Sequence, residues 1–267
     1  MASGSQPPSA AEQRTPIWSH RYVLGMRVDA TDYEAASDQI VQWGREGRSR
    51  FVCVASVNNV IQSLDNAAFL EAMNASDLTT SDGMPLVWAL HRLGLRQASR
   101  VYGPTLTPKV WEKAAVAGVP IGLFGGSPEV LERMIGDLKT TLPDLEIAYS
   151  YSPPFRPLSA AEDRAIAGDI ERSGARIVFV GLGCPRQELW MHALSPDIPA
   201  VLVGVGAAFD FIAGEKKQAP KWIQDRGLEW LFRLSTEPRR LWRRYLYGNP
   251  RFMAKFLMQL SREKRSR

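Results

Sequence analysis

The chain has few cysteines and histidines, the residues from which disulfides and many metal sites are built. Only two cysteines occur, Cys53 and Cys184, and both lie in or just after apolar runs typical of strands. This usage predicts reduced thiols in a cytoplasmic protein. The three histidines, His20, His91 and His192, are scattered and show no metal-ligand spacing. We therefore expect neither a disulfide framework nor a bound metal ion.

Long apolar runs are absent as well. No run approaches the ~20 residues that a membrane-spanning helix needs. Residues 1–15 are rich in Ser, Pro, Gln and Ala and lack the apolar core of a signal peptide, so we expect a disordered tail without a targeting role. The chain has 267 residues, 45% apolar and 23% charged, which is typical of a globular protein and enough for one large domain or for one domain plus an appendage.

Two common nucleotide-binding fingerprints are missing. Three glycine-rich turns follow strand-like runs, at residues 125–126, 181–183 and 204–206. None completes G-x-G-x-x-G, because Arg186 and Phe209 occupy the third glycine position of the last two, and no G-x-x-x-x-G-K-[ST] occurs. The sequence therefore disfavours a nicotinamide oxidoreductase and a P-loop NTPase.

Positive charge is concentrated at one end of the chain. Residues 221–267 contain 13 Lys or Arg and 4 Asp or Glu, which gives this segment +9 and leaves −4 on the rest. Such a segment predicts an anionic partner: a membrane surface, a phosphorylated substrate or a nucleic acid. Trp and Tyr residues interleave with the arginines, as suits a membrane interface, whereas no nucleic-acid reader motif is present.

Apolar runs alternate with helical spacing along most of the chain. Strands are predicted at residues 51–57, 119–124, 145–149, 176–180 and 200–206, and helices at residues 65–74, 85–95, 104–117, from 127 onward and 160–173. This alternation predicts an α/β fold, a Rossmann-like and mainly parallel sheet sandwiched by helices. Because no strand-like run follows Gly214, we expect a body over residues 16–216 and a basic, aromatic, helical appendage over residues 217–267.

The loop after the predicted strand at residues 176–180 is the first candidate site. Gly181 and Gly183 permit a sharp turn and the close approach of a ligand, and Gln187 and Glu188 then supply an amide and a carboxylate. In an open parallel sheet, loops at the carboxyl ends of the strands bind ligands. The alternative is a tight turn with a solvated charge cluster.

Two glycines and two carboxylates are further candidates. Gly125 and Gly126 precede a helix capped by Ser127, whose free amides suit an anion, with ordinary capping as the simpler alternative. Asp82 stands on a turn before a helix, where it is a candidate general base or a structural Asp-Gly turn residue. Asp210 follows a strand among apolar neighbours, so it needs a partner or a ligand hydroxyl such as that of a ribose.

Three arginines of the appendage have a regular spacing. Arg233, Arg240 and Arg243 would share one face of a single helix, whereas Pro238 would interrupt that helix or start a new one. The guanidinium fork binds phosphate oxygens in pairs, so these residues are candidate phosphate ligands. The alternative is a solvated basic helix that docks through its aromatic residues.

Taken together, six segments resemble a known family in their order along the chain. They are Ala75-Ser-Asp-Leu…Ser-Asp-Gly83, Arg100-Val-Tyr-Gly103, Phe124-Gly-Gly-Ser-Pro-Glu129, Val180-Gly-Leu-Gly-Cys-Pro-Arg-Gln-Glu188, Gly204-Val-Gly-Ala-Ala-Phe-Asp210 and Gly227-Leu-Glu-Trp-Leu-Phe-Arg-Leu…Glu-Pro-Arg-Arg…Arg243. Over about residues 22–247, the chain resembles the WecG/TagA/CpsF family of bacterial glycosyltransferases.

The resemblance implies a GT-E type fold and a metal-independent, cofactor-free, inverting hexosyl- or N-acetylhexosaminyl-transferase. Its donor would be a UDP-sugar, and its acceptor a saccharide on a polyprenyl pyrophosphate in exopolysaccharide or cell-surface glycan synthesis. The protein would sit peripherally on the inner face of the cell membrane, which residues 221–267 would contact, and a homo-oligomer is compatible with it.

The resemblance also implies roles for individual residues. Asp82 would deprotonate the acceptor hydroxyl, and Arg100 would neutralise the diphosphate. Gln187 and Asp210 would lie at the nucleotide. The appendage arginines would close over the site and engage phosphate: Arg233, Arg240 and Arg243.

Three positions depart from the usual pattern of the family. An asparagine of many relatives falls on Ser56 by ungapped counting, with Asn58 and Asn59 close by, so its role has three candidates. Thr105 and Gln218 stand where relatives often have Asp and Arg, which would fit an exopolysaccharide subgroup with another donor sugar. The competing hypothesis is a non-catalytic protein that binds a nucleotide sugar or a nucleic acid through its basic end.

Overall fold

The computed structural model describes residues 17–265, and the disordered tail predicted for residues 1–15 lies outside them. The strands of the described chain are β1 (His20–Val23), β2 (Met26–Asp29), β3 (Arg50–Ala55), β4 (Leu78–Ser81), β5 (Ile121–Gly125), β6 (Ile147–Tyr151), β7 (Ile177–Gly181) and β8 (Val201–Gly204).

The α-helices of the same region are α1 (Tyr33–Glu46), α2 (Val57–Asp65), α3 (Ala67–Ala75), α4 (Met84–Arg92), α5 (Gly103–Ala117), α6 (Pro128–Thr141), α7 (Ala160–Ser173), α8 (Arg186–Leu194), α9 (Ala208–Ile212), α10 (Lys221–Asp225), α11 (Glu229–Thr236), α12 (Pro238–Trp242) and α13 (Gly248–Arg265). A 3-10 turn at Ser195–Asp197 follows α8, and a π-helical turn at Arg243–Tyr247 joins α12 to α13.

A six-stranded, all-parallel sheet forms the centre of the molecule, in the order β4-β3-β8-β7-β5-β6. Its central strands, β3, β8, β7 and β5, are mostly apolar on both faces. Val52 and Phe179 pack on one face against α1, α5 and α6, while Phe51 and Val180 pack on the other against α2, α3, α7 and α8. The predicted Rossmann-like sheet sandwiched by helices is confirmed. Strands β1 and β2 pair separately as an antiparallel hairpin.

Helix α2 is one of the elements that the sequence analysis did not predict, and α1 is another. The predicted strand at residues 51–57 ends at Ala55, because Ser56 caps α2 in a capping box with Asn59. Val57 continues the apolar run into α2, so the sequence pattern does not show where β3 ends. Strand β4 was also missed, since its residues Thr79, Thr80 and Ser81 are polar yet buried. Hydrogen bonds make this burial tolerable, such as the one from the Ser81 hydroxyl to the Ser99 carbonyl (2.8 Å).

The appendage packs onto the body. Phe252 and Phe256 of α13 are buried in the same core cluster as residues of α2 and α3, and Arg251 forms an ion pair with Asp65 at 2.5 Å. Pro238 starts α12, so the three spaced arginines lie on α11, on α12 and in the π-helical turn, and the single helix face does not form. Among residues 17–265, no helix has the length and apolarity to cross a membrane.

Candidate active site

Four loops meet at the carboxyl edge of the sheet, after β3, β4, β7 and β8, and the appendage lies against them. They enclose two adjoining cavities. The first cavity, of about 200 Å³, has polar walls that include Asn59, Gly183, Gln187, Glu188 and Arg240. The second cavity, of about 80 Å³, has walls that include Asn58, Met84, Pro85, Arg100, Glu229 and Trp230. Both cavities share the walls formed by Ser56, Asp82, Arg233 and Arg244.

Asp82 is fixed by its main chain while its carboxylate is left without a hydrogen bond. Its amide donates to the Ala55 carbonyl (2.8 Å), and its carbonyl accepts from Arg100 Nε (2.6 Å). The buried Oδ1 has no hydrogen-bond partner and lies 3.9 Å from Arg100 Nη2. Burial raises the pKa of Asp82 to about 7; the Glu229 charge adds to this rise, and Arg100, Arg233 and Arg244 oppose it.

A buried polar cluster joins the first turn of α8, after β7, to the first turn of α2, after β3. Asn59 Nδ2 donates to Glu188 Oε1 at 3.0 Å, and Gln187 Nε2 donates to the same oxygen at 3.2 Å. Gln187 Oε1 accepts from the Gly183 amide at 3.1 Å. A side chain at Gly204 would lie 3.1 Å from Gln187 Nε2, so the glycine gives this amide room. Glu188 Oε2 is buried without a partner, and burial raises the pKa of this carboxyl.

Arg100 links the body to the appendage. Its Nη2 donates to Glu229 and its Nη1 to Gln224 Oε1 (3.3 Å), both on the appendage side, and the guanidinium stacks over Tyr102 at 4.4 Å from the ring centroid. Burial raises the pKa of Tyr102, with Glu229 and Asp82 as the next causes. The arginine was predicted, but its partner Glu229 was not, although it lies within a segment of the resemblance.

Three appendage arginines reach the first cavity. Arg233 lies over the Phe211 ring at 5.3 Å, and its buried Nε has no partner. Arg240 lines the cavity and pairs with Glu237 at 2.5 Å. Arg244, which the sequence reading missed, donates to the Ser56 hydroxyl at 3.2 Å. Arg243 is exposed and lies over the Trp242 ring at 5.2 Å. In the same π-helical turn it is Arg244 that faces the cavity.

The remaining predicted residues lie outside the walls of both cavities. Gly125, with φ at 115°, packs against the main chain of Gly181, where a side chain would come within 2.6 Å. Gly126 faces Phe209 in the same close-packed layer. Asp210 stands on α9, of which Ala208 and Phe211 line the first cavity, and pairs with Lys216 at 2.5 Å. Their proposed contacts with substrate therefore stay predictions.

The site thus places a partnerless carboxylate among guanidinium groups at the end of a parallel sheet. Such an arrangement can bind a doubly charged phosphate ligand and take up a proton beside it. A model of one protein family matches residues 21–266, which is nearly the whole chain, and its description is "Glycosyl transferase WecG/TagA/CpsF family". The chain belongs to the WecG/TagA/CpsF family of glycosyl transferases.

Proposed function

We propose that this glycosyltransferase moves a sugar from a UDP-sugar to a saccharide on a polyprenyl pyrophosphate, with inversion and without a metal ion. The observation that carries the proposal is the position of Asp82. Its carboxylate lies where the two cavities meet, with Oδ1 buried and without a hydrogen bond, and Arg100, Arg233 and Arg244 are the cations that act on it.

The first cavity suits the donor. Three guanidinium groups, of Arg233, Arg240 and Arg244, line it and can neutralise the charge that develops on a departing diphosphate. The Gln187 amide and the buried Glu188 carboxylate offer hydrogen bonds deeper in the same cavity. Arg233 over the Phe211 ring and Arg244 at the Ser56 hydroxyl already lie at the cavity, so they can stabilise the leaving group with little reorganisation.

The second cavity suits the acceptor sugar. Met84, Pro85 and Trp230 give it an apolar wall against which a sugar ring can pack, and Asp82 closes it on the side of the donor. In the proposed reaction, Asp82 takes the proton of the acceptor hydroxyl, and the hydroxyl oxygen forms a bond to the anomeric carbon. The bond from that carbon to the β-phosphate oxygen breaks, and UDP leaves with the electron pair.

The appendage would supply the membrane contact. Trp242, Leu246, Met253, Leu257 and Met258 are at least 48% exposed and lie on a segment with a charge of +9. Exposed apolar side chains beside basic residues are typical of a helix that lies in the membrane interface. Anionic lipids would attract the same segment, which places the site next to a lipid-linked acceptor.

The test is transfer from a panel of UDP-sugars to a short-chain lipid-pyrophosphate sugar in EDTA, followed by mass spectrometry. We expect a product in EDTA, with kcat/KM falling below a midpoint near pH 7 as Asp82 takes up a proton. Asp82→Asn should lower kcat about 10²–10⁴-fold. The matched control is Asp169→Asn on the surface of α7, which should retain activity. Full activity of Asp82→Asn would refute the proposed base.

The same preparation separates the enzyme from the competing hypothesis of a non-catalytic binder. Calorimetry in EDTA should show UDP binding that survives 0.3 M salt. Binding of an oligonucleotide with strong salt dependence, and no binding of UDP, would instead favour a nucleic-acid-binding protein.

A further inference from the structure

The guanidinium of Arg100 lies between two carboxylates, one from the body and one from the appendage. Its Nη2 donates to Glu229 at the start of α11 and stays 3.9 Å from Asp82 Oδ1. A hydrogen bond between these charged groups would be about 2.8 Å long, so Arg100 is about 1 Å short of pairing with Asp82.

The body alone would bring Arg100 to Asp82. Its Nε is bound to the Asp82 carbonyl, and its guanidinium rests on Tyr102, so it stays beside Asp82 whatever the appendage does. The contacts that turn its outer nitrogens away come from Gln224 and Glu229, which both lie on the appendage. Without them, Asp82 would be the nearest buried acceptor without a partner.

We propose that Glu229 is a positioning residue, which holds Arg100 away from Asp82 and so leaves that carboxylate free to receive the proton of the acceptor. This inference rests on the function proposed above. It makes the availability of the base depend on whether α11 is packed over the site. Displacement of α11 would let Arg100 pair with Asp82, which would then be a weaker base. A donor sugar in an uncovered site would then face water without an available base.

The other groups around Asp82 do not duplicate this effect. Arg233 on α11 and Arg244 in the π-helical turn face it as cations. Arg100 faces it from the loop before α5, and Tyr102 is the last residue of that loop. Glu229 is the anion among these neighbours. It therefore acts on Asp82 in two ways, by its own charge and by occupying Arg100, and both favour a stronger base.

The test compares pH profiles of kcat/KM between pH 5 and pH 9 for the wild type, Glu229→Gln and Glu229→Asp. In Glu229→Gln, we expect the midpoint of the acid limb to move down by about one pH unit, because Arg100 pairs with Asp82. We also expect the plateau to fall about tenfold, because a weaker, paired base removes the proton less well. Glu229→Asp keeps the charge but is one methylene shorter, so its shift should be smaller and in the same direction.

The matched control is Glu215→Gln, which removes an exposed carboxylate paired with Arg133, outside both cavities, and should keep the wild-type profile. A lower plateau with an unmoved midpoint in both Glu229 variants would show that Glu229 acts only by supporting the fold, and would overturn the inference.

A second readout does not depend on catalysis. Carboxyl-carbon NMR, with the Asp82 signal assigned by its loss in Asp82→Asn, follows the titration of this group directly. A downward shift of its midpoint in Glu229→Gln supports the inference even if no sugar is transferred, and an unchanged midpoint overturns it. A protein without transferase activity that still shows this shift would refute the proposed function alone.

Discussion

Replacement of Asp82 by Asn should make the protein more stable as well as less active. In the folded protein, burial raises the pKa of this carboxyl from 3.8 to about 7, a rise of about three units or about 4 kcal/mol. Since the folded pKa is the higher one, the favourable contribution is complete below pH 3.8 and is lost as the pH rises through 7. Asn has no proton to lose, so the variant should be more stable by about 4 kcal/mol at pH 8 and by about 2 kcal/mol at pH 5.

Thermal and urea unfolding of both proteins at pH 5 and pH 8 measure this difference. At pH 8 we expect the melting temperature of Asp82→Asn to exceed that of the wild type by roughly 10 °C, with a smaller gain at pH 5. Asp169→Asn, at an exposed ion pair, serves as the control and should change the melting temperature little. Equal stability of the wild type and Asp82→Asn at both pH values would refute the claim that this carboxylate is desolvated, and with it the physical basis of the base assignment.

Two other predictions concern the appendage. Arg244→Ala should lower kcat/KM about 10–100-fold in the transfer assay, because Arg244 lies in the walls of both cavities. Arg243→Ala should have a smaller effect, because Arg243 is exposed. Equal effects of the two substitutions would contradict this prediction. The double variant Met253→Glu/Leu257→Glu should lower co-sedimentation with anionic vesicles at least tenfold. The control Val116→Glu replaces an exposed apolar residue of α5 and should not lower it. Retained binding of the double variant would rule out the exposed face of α13 as the membrane contact.

The sequence was most informative where the local chemistry alone decides the structure. Helix α7 lies at the predicted residues 160–173, because Ser159 and Glu162 form a capping box and Gly174 ends the helix with a positive φ. Helix α2 was missed because its cap, Ser56 with Asn59, is preceded and followed by apolar residues. An apolar run does not show where a strand gives way to a helix when both are buried.

The site followed the same pattern. Asp82 comes directly after β4, and Gln187 and Glu188 lie in the first turn of α8 after β7, so the topology gathers them at one edge of the parallel sheet, and this was predictable. Arg244 was not, since its direction depends on the π-helical turn after α12 and on the packing of α13. The prediction fell on the adjacent Arg243 instead, which is exposed.

The composition of the appendage does not reveal that one face of its last helix is part of the core. Its charge and aromatic content mark it as distinct, yet Phe252, Phe256 and Leu260 recur every four residues and pack against the body. Deletion of the whole segment would therefore open the core, and substitutions on its exposed face are the cleaner test of its role.

The last helix, α13, also forms hydrogen bonds to the hairpin of β1 and β2. Gln259 on α13 accepts a hydrogen bond from the Leu24 amide at 2.9 Å and donates one to the Tyr22 carbonyl at 2.8 Å, across a separation of 235 residues for the first of these bonds. During synthesis, the turn between β1 and β2 emerges from the ribosome long before this partner exists. A chain that stalls before α13 would leave the turn between β1 and β2 without these hydrogen bonds and the core cluster beneath α2 exposed. Quality-control proteases should therefore cleave unfinished molecules more readily than finished ones.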